Sequence, residues 1–231
     1  MPGVKEDVEE LLADYSDSLN PDALYVIWAG ANDVFLYLDL VGQTGDPSLF
    51  DWILTGAVQN IAKTLCTLSA AGARHFAVVN LPDIGLTPFG TSQGQPKASL
   101  LTLASTTFNE GLAAALDALP CADKVDTLVI LDVFTFLGDV VDHPKDYGLK
   151  NVKAPCLTVL DDGSYKVCAR PDRYLFWDEV HPTTAGHALV AQHFVTELCG
   201  CGMDHHHWWR HRDHWDRDQT PFWHDLCDGV R

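Results

Sequence analysis

Asp178-Glu179-Val180-His181 is followed at once by Pro182, and an aromatic run, Tyr174-Leu175-Phe176-Trp177, leads into it. An acid three residues before a histidine can reach one ring nitrogen across a bend. It fixes the tautomer and stabilises the imidazolium when the other nitrogen takes a proton. Pro182 suits the first position of a helix, where its missing N–H is not needed. It also pushes His181 out of helical geometry towards an extended one. The spacing predicts His181 on a bend at a helix N-terminus, with its ring free to face a cleft. Asp178 and His181 make two parts of a nucleophilic triad; the same residues also fit a plain helix start with an acidic lead-in.

A second stretch adds to the first. Leu24-Tyr25-Val26-Ile27-Trp28-Ala29 is short, β-branched and aromatic, the pattern of a buried strand. It runs into Gly30-Ala31-Asn32-Asp33. Open α/β sheets place ligand sites at the carboxyl ends of their strands. There Asn32 can aim an amide N–H at a developing oxyanion, with Gly30 lining the site. A simple Asn-Asp turn after a strand is the alternative.

Gly30-Ala31-Asn32-Asp33 after a strand and Asp178-x-x-His181-Pro182-Thr183 before a last helix together resemble the SGNH (GDSL) hydrolase superfamily of esterases and lipases. Leu81-Pro82-Asp83-Ile84-Gly85-Leu86-Thr87-Pro88 is similar to a segment of its secreted and autotransporter bacterial esterases. So are Tyr147-Gly148-Leu149, Asn151-Val152 and Cys156. The resemblance covers about residues 8 to 198. It implies a three-layer α/β/α fold with a parallel sheet and a carboxylic ester hydrolase. His181 would be the base, Asp178 its orienter and Asn32 the oxyanion donor, acting on a small ester or lipid and needing no cofactor or metal. It also implies a pairing of Cys156 with Cys168 across a glycine-containing loop, and a secreted or cell-surface bacterial setting.

One feature departs from the family pattern. The family nucleophile stands in a Gly-Asp-Ser-Leu motif after a first strand, well upstream of Gly-x-Asn-Asp. This chain reaches Asn32 too soon for that strand, so an N-terminally truncated domain is expected. Ser16-Asp17-Ser18-Leu19 echoes the motif and makes Ser18 a candidate nucleophile. It follows a helical pattern, however, and reads equally as a Ser/Asp turn. Ser92 or a serine from another polypeptide is a further candidate. A non-catalytic remnant serving as a binding or assembly module is the alternative function.

Composition limits the remaining classes. The chain has 231 residues and a formal charge of −17. That charge argues against nucleic acid or anionic lipid, which need a cationic face. No run of eighteen apolar residues exists, so no membrane span is expected. Seven cysteines cannot all pair within one chain. Cys66 and Cys121 fall near predicted helix ends, where core thiols would fit.

The elements that must position these residues alternate. A helix is expected over 5–16 and a strand over 24–29, then a loop over 31–47. The next helix, capped by Ser48 or Asp46, carries Ile53, Leu54, Ala57, Val58, Ile61, Leu65 and Leu68 at helical spacing. A strand over 75–80 and a long loop over 81–95 follow. A helix opened by Pro96 carries Leu100, Leu103, Thr107, Phe108, Leu112, Leu116 and Leu119. A strand over 127–131, a helix over 133–141, an irregular stretch over 142–173 and a helix from Pro182 complete a domain over 1–202. Such alternation is the pattern of a parallel sheet covered by helices. With its neighbours missing, Leu24–Ala29 is an apolar edge expected to recruit a second copy. Residues 203–231, rich in histidine and tryptophan, are expected to be irregular, with metal binding as an alternative reading.

Overall fold

A computed structural model describes residues 3–15, 18–46, 48–199 and 227. The histidine-rich stretch from 203 onwards, apart from Cys227, lies outside the described residues. The chain divides into two compact units.

The first unit draws on Met1–Asn80, Phe108–Leu131 and Thr196–Arg231. In it α1 (Val4–Asp14) is followed by β1 (Leu24–Trp28), α2 (Ala31–Thr44), α3 (Leu49–Ala70), β2 (His75–Val79) and later β3 (Thr127–Leu131). The strands are parallel in the order β1-β2-β3, with Leu24 opposite His75 and His75 opposite Thr127. β2 is the middle strand, and Phe76 to Val79 are all buried. Its run of Phe, Ala and Val reads as continuous apolar sequence because a central parallel strand is covered on both faces. β1 holds an edge among the described strands, and Val26 and Trp28 remain 55% and 46% exposed. The expected stripe of α3 is buried at all seven positions. α1 and α2 both pack on this helix.

Two expectations in this unit are corrected. Residues 31–47 do not form a loop. Gly30 takes φ +115° and turns the chain directly into α2, which runs to Gly45. The intervening Val34 and Tyr37 are buried at helical spacing, and that burial outweighs the loop signal of Gly42. Cys66 and Cys121 are not separate core thiols; they form a disulfide tying α3 to the segment after the next long helix. Cys199 and Cys227 form another.

The second unit comprises Leu81–Thr107 and Asp132–Val195. The expected long loop over 81–95 is mostly helical. A 3₁₀ turn (Ile84–Leu86) leads into α4 (Pro88–Ser92), capped by Thr87, and α5 (Gln95–Asp117) follows. The first half of α5 is rotated from the expected stripe. Leu101, Ala104 and Ser105 are buried, whereas Leu103 is 55% exposed. The cause is polar: Thr102 and Ser105 on that side hydrogen-bond the 83–84 backbone and the Asp83 carboxylate.

α6 (Val133–Asp142) is capped by Asp132, whose Oδ1 accepts from the Thr135 N–H. The stretch after it is more regular than expected. A hairpin of β4 (Leu157–Val159) and β5 (Tyr165–Val167) is closed at its base by the Cys156–Cys168 disulfide. A pair of short strands is marginal alone, so the crosslink supplies order that three rungs would not.

α7 (Thr184–Cys199) begins two residues later than expected. Its cap is Thr183, 2% exposed, whose Oγ1 accepts from the Gly186 N–H and donates to the Tyr174 carbonyl. Pro182 instead pairs with Phe176 in an antiparallel bridge. The ladder bonds on either side run from Trp177 N–H to His181 O and from Thr183 N–H to Leu175 O. Pro182 thus occupies a rung that needs no donor.

Two outcomes test this description. Thr183→Ala removes a buried cap and leaves a carbonyl short of a donor. It should lower stability by about 1–2 kcal/mol and the melting midpoint by roughly 4 °C, followed by calorimetry. At the end of α6, His143 Nδ1 bonds Asp139 at 2.9 Å and Tyr147 donates to the same carboxylate. The Asp139 hydrogen bond holds His143 protonated above the usual histidine range. This pairing is therefore complete below the unfolded histidine value of ~6.5 and is lost as pH rises through the higher folded one. Proton NMR should show His143 titrating above the ordinary value, and Asp139→Asn should return it there.

Candidate active site

The dyad follows a well-anchored segment joined to its neighbours by isolated bridges at Tyr174 and Phe176. Leu175 and Phe176 are 4% and 2% exposed in a cluster with Val140, Leu149 and Val152. Burying each such side chain contributes about 1.5–3 kcal/mol, so the aromatic-apolar run before Asp178 is a foundation for it. The Leu175 N–H bonds Asn151 O at 2.8 Å, and the Cys156 and Leu157 N–H groups bond the carbonyls of Phe176 and Trp177. Chain then turns through 177–181 and returns as Pro182.

The turn is organised by one carboxylate. Asp178 Oδ1 accepts from the N–H groups of Val180 (2.9 Å) and His181 (2.7 Å). Oδ2 lies 2.8 Å from His181 Nδ1. An ionised carboxylate only accepts, so Nδ1 carries the proton and Nε2 is the basic atom. The imidazole side chain is 73% exposed. Burial pushes the Asp178 carboxyl up, but the two backbone amides and the imidazole outweigh it and hold it below the usual value. A depressed carboxylate stabilises the turn above the unfolded value of ~3.9, and that contribution fades as pH falls through the folded one. Near neutrality the acid is charged, as an orienting group must be.

Gly186 completes the local packing. A Cβ there would fall 2.7 Å from Leu175 O and 2.8 Å from Pro182 Cβ. The first turn of α7 can therefore lie against both arms of the dyad turn only with glycine at this place. Neither Gly186 nor Thr183 stands out by its side-chain chemistry. The available signal was a hydroxyl residue directly before a helical pattern, the ordinary mark of a cap.

Gly30 and Asn32 belong to the first unit, at the carboxyl end of β1. Gly30 is buried, and a Cβ on it would fall 2.3 Å from a Phe108 ring carbon, so close approach and a positive φ both demand glycine. Asn32 is exposed in the first turn of α2, where backbone amides lack intrahelical acceptors. Ser18 lies at the other end of the same strand. Its neighbour Leu19 donates to Ala71 O at the amino rim of the sheet, before β2 begins. Five residues at about 3.3 Å each separate that rim from Gly30. Ser18 and Asn32 are thus held apart, whereas a nucleophile and an oxyanion donor must meet at one acyl carbon. Ser92 sits at the end of α4 with Oγ donating to Phe89 O at 2.7 Å.

Comparison with known proteins agrees with this architecture. The family described as GDSL-like Lipase/Acylhydrolase matches over residues 3–194. The chain is 27% identical over 184 residues to an anther-specific proline-rich protein of Arabidopsis thaliana, covering 74% of this chain and 34% of that protein. It is 26% identical to the Arabidopsis GDSL esterase/lipase EXL2, covering 74% of this chain and 48% of the relative. An uncharacterized protein from the trpE-trpG intergenic region of Pseudomonas putida is 31% identical, covering 78% of this chain and 29% of that protein. The chain thus spans about half or less of the length of these relatives. A parallel α/β sheet, an Asp-His turn before the last helix and a family match across 3–194 lead to one assignment: this chain belongs to the GDSL-like lipase/acylhydrolase family.

Proposed function

We propose that the chain serves carboxylic ester hydrolysis, with His181 as general base and acid, Asp178 as its orienter, and Asn32 with Gly30 as oxyanion contributors. The observation that carries this reading is the 2.8 Å contact of Asp178 Oδ2 with His181 Nδ1. It leaves Nε2 as the basic atom on a side chain open to solvent. A serine hydroxyl within roughly 2.6–3.2 Å of Nε2 would give up its proton there as its oxygen attacks the acyl carbon. His181 would return that proton to the leaving alkoxide. Water would then repeat the sequence on the acyl-enzyme and release the acid. The substrate is a small ester or lipid ester, the class named by the family. The three disulfides among the described residues fit export to an oxidising compartment.

Turnover of short-chain p-nitrophenyl esters tests the assignment. His181→Ala should lower kcat by roughly 10²–10⁴, and Asn32→Ala by roughly 10²–10³. With the acyl carbon held beside Asn32, Ser18→Ala should leave turnover intact, because Leu19 beside it pairs at the opposite rim of the sheet; fluorophosphonate labelling of Ser18 would overturn this. Hydrolysis that survives His181→Ala unchanged would remove the mechanism.

The edge position of β1 carries a second expectation, assembly with another copy. Val26, 55% exposed, points an apolar side chain outward from an edge strand. Such edges recruit partners. Light scattering on a sizing column at micromolar concentration should show a dimer or larger species, and Val26→Lys should shift it towards monomer. A monodisperse wild-type monomer would contradict assembly.

A further inference from the structure

The segment from Leu81 to Pro88 resembles a family motif, yet it supplies no group to the dyad chemistry. In the second unit it forms a compact knot. Asp83 is 7% exposed, and its Oδ1 accepts from the Gly85 N–H (2.8 Å) and from Thr102 Oγ1 (2.7 Å). The Ile84 N–H donates to Ser105 Oγ at 3.3 Å. Thr87, 4% exposed, donates from Oγ1 to Ile84 O (2.7 Å) and accepts from the Gly90 N–H (3.1 Å). Backbone is packed on backbone: a Cβ on Gly90 would fall 2.3 Å from Ile84 O, and one on Gly85 would fall 2.5 Å from Ala98 O. Little in this knot can give without breaking a buried hydrogen bond.

A backbone bond links the knot to the dyad turn. The Phe89 N–H, in the first turn of α4, donates to Glu179 O at 2.8 Å. A first-turn amide has no acceptor within its own helix, and this one holds an outside carbonyl. Glu179 is inside the turn, between Asp178 and His181. The bonds within that turn set its shape. The Phe89 bond fixes its tip against the rest of the unit.

We propose that Thr87 is a positioning residue for His181, acting through the Phe89 N–H to Glu179 carbonyl bond. The Thr87 hydroxyl caps α4 and sets the direction of the Phe89 amide. Without it the buried Gly90 N–H and Ile84 carbonyl each lose a partner, and the first turn of α4 loosens. The Glu179 carbonyl is released, and the 178–181 turn samples arrangements in which Asp178 no longer holds the Nδ1 proton. The His181 ring then moves from the Nδ1–H tautomer towards the Nε2–H one, which has no lone pair on the reacting nitrogen. Its consequence for turnover rests on the hydrolase reading above; its consequence for the tautomer does not.

The test compares Thr87→Val with Thr87→Ser in the full chain. Imidazole ¹⁵N shifts report the His181 tautomer, and thermal melts confirm folding. Thr87→Val should raise the Nε2–H share and lower kcat on p-nitrophenyl acetate by roughly 10–100-fold with KM within about twofold. Thr87→Ser keeps the hydroxyl and should restore both. If Thr87→Val does not fold, replacing Phe89 with its α-hydroxy acid deletes the N–H, leaves the side chain in place and weakens only the Pro88 carbonyl, and it should give the same tautomer shift. A folded Thr87→Val or Phe89 ester chain whose His181 tautomer matches wild type overturns the proposal. A tautomer shift in a chain whose hydrolysis never depended on His181 supports the positioning and removes the hydrolase reading instead.

Discussion

Everything at the candidate site depends on how one carboxylate is shared. Asp178 uses Oδ1 for two backbone amides and Oδ2 for the imidazole. The first two bonds make the turn; the third orients the ring. Because all three come from one group, the backbone geometry and the ring geometry cannot vary independently. A carboxylate with three donors is also held ionised against the burial that opposes it. A neutral amide in its place could accept at one atom only. It would have to give up either the turn or the ring.

That arrangement requires a rigid approach and a rigid exit. The approach is Leu175-Phe176, fixed by burial beside Val140, Leu149 and Val152. The exit is Pro182 and Thr183. Proline takes the rung without a donor, and threonine ties the first turn of α7 to Tyr174. Gly186 then lets the helix come close. Asp178 and Thr183 therefore each answer a backbone demand as well as a side-chain one. This is why so much of the site lies in twelve consecutive positions.

The same logic explains what could be read in the sequence. Signals that repeat at a fixed period were legible: the seven-residue stripe of α3 is fully buried, and β2 and β3 lie within a residue of their expected bounds. The Asp178–His181 contact was legible because it is local. At several places a tertiary contact overrides the local rule. Gly42 and Gly45 mark a loop, but burial of Val34 and Tyr37 made α2. Pro182 marks a helix start, but Thr183 offered the better cap. Leu103 looked like core, but Thr102 and Ser105 turned the helix towards Asp83. The 81–92 knot was invisible because glycine and proline signal loops, whereas here Gly85 and Gly90 serve close packing. Disulfide partners 55 residues apart, Cys66 and Cys121, leave no local trace at all.

The second Asp-His pair shows why spacing alone does not assign a base. Asp139 and His143 are four apart on one helix face, and their contact, 2.9 Å, is about as short as that of the dyad. There, however, the carboxylate also takes the Tyr147 hydroxyl, and among the described residues its partners are the two side chains His143 and Tyr147. The phenol is itself pushed up to about 12, first by burial and then by its bond to Asp139. His143 is drawn towards its charged form by Asp139. Such a pairing makes the imidazole more basic but widens the pH range over which its proton stays on and its lone pair is withheld. At the end of α6 the acid joins the histidine to the Tyr147 hydroxyl and draws it towards its charged form. In the turn, two amides already draw on Asp178, so its charge is divided between shaping backbone and orienting a ring. The difference between a structural pair and a candidate catalytic one thus lies in what else the carboxylate must hold.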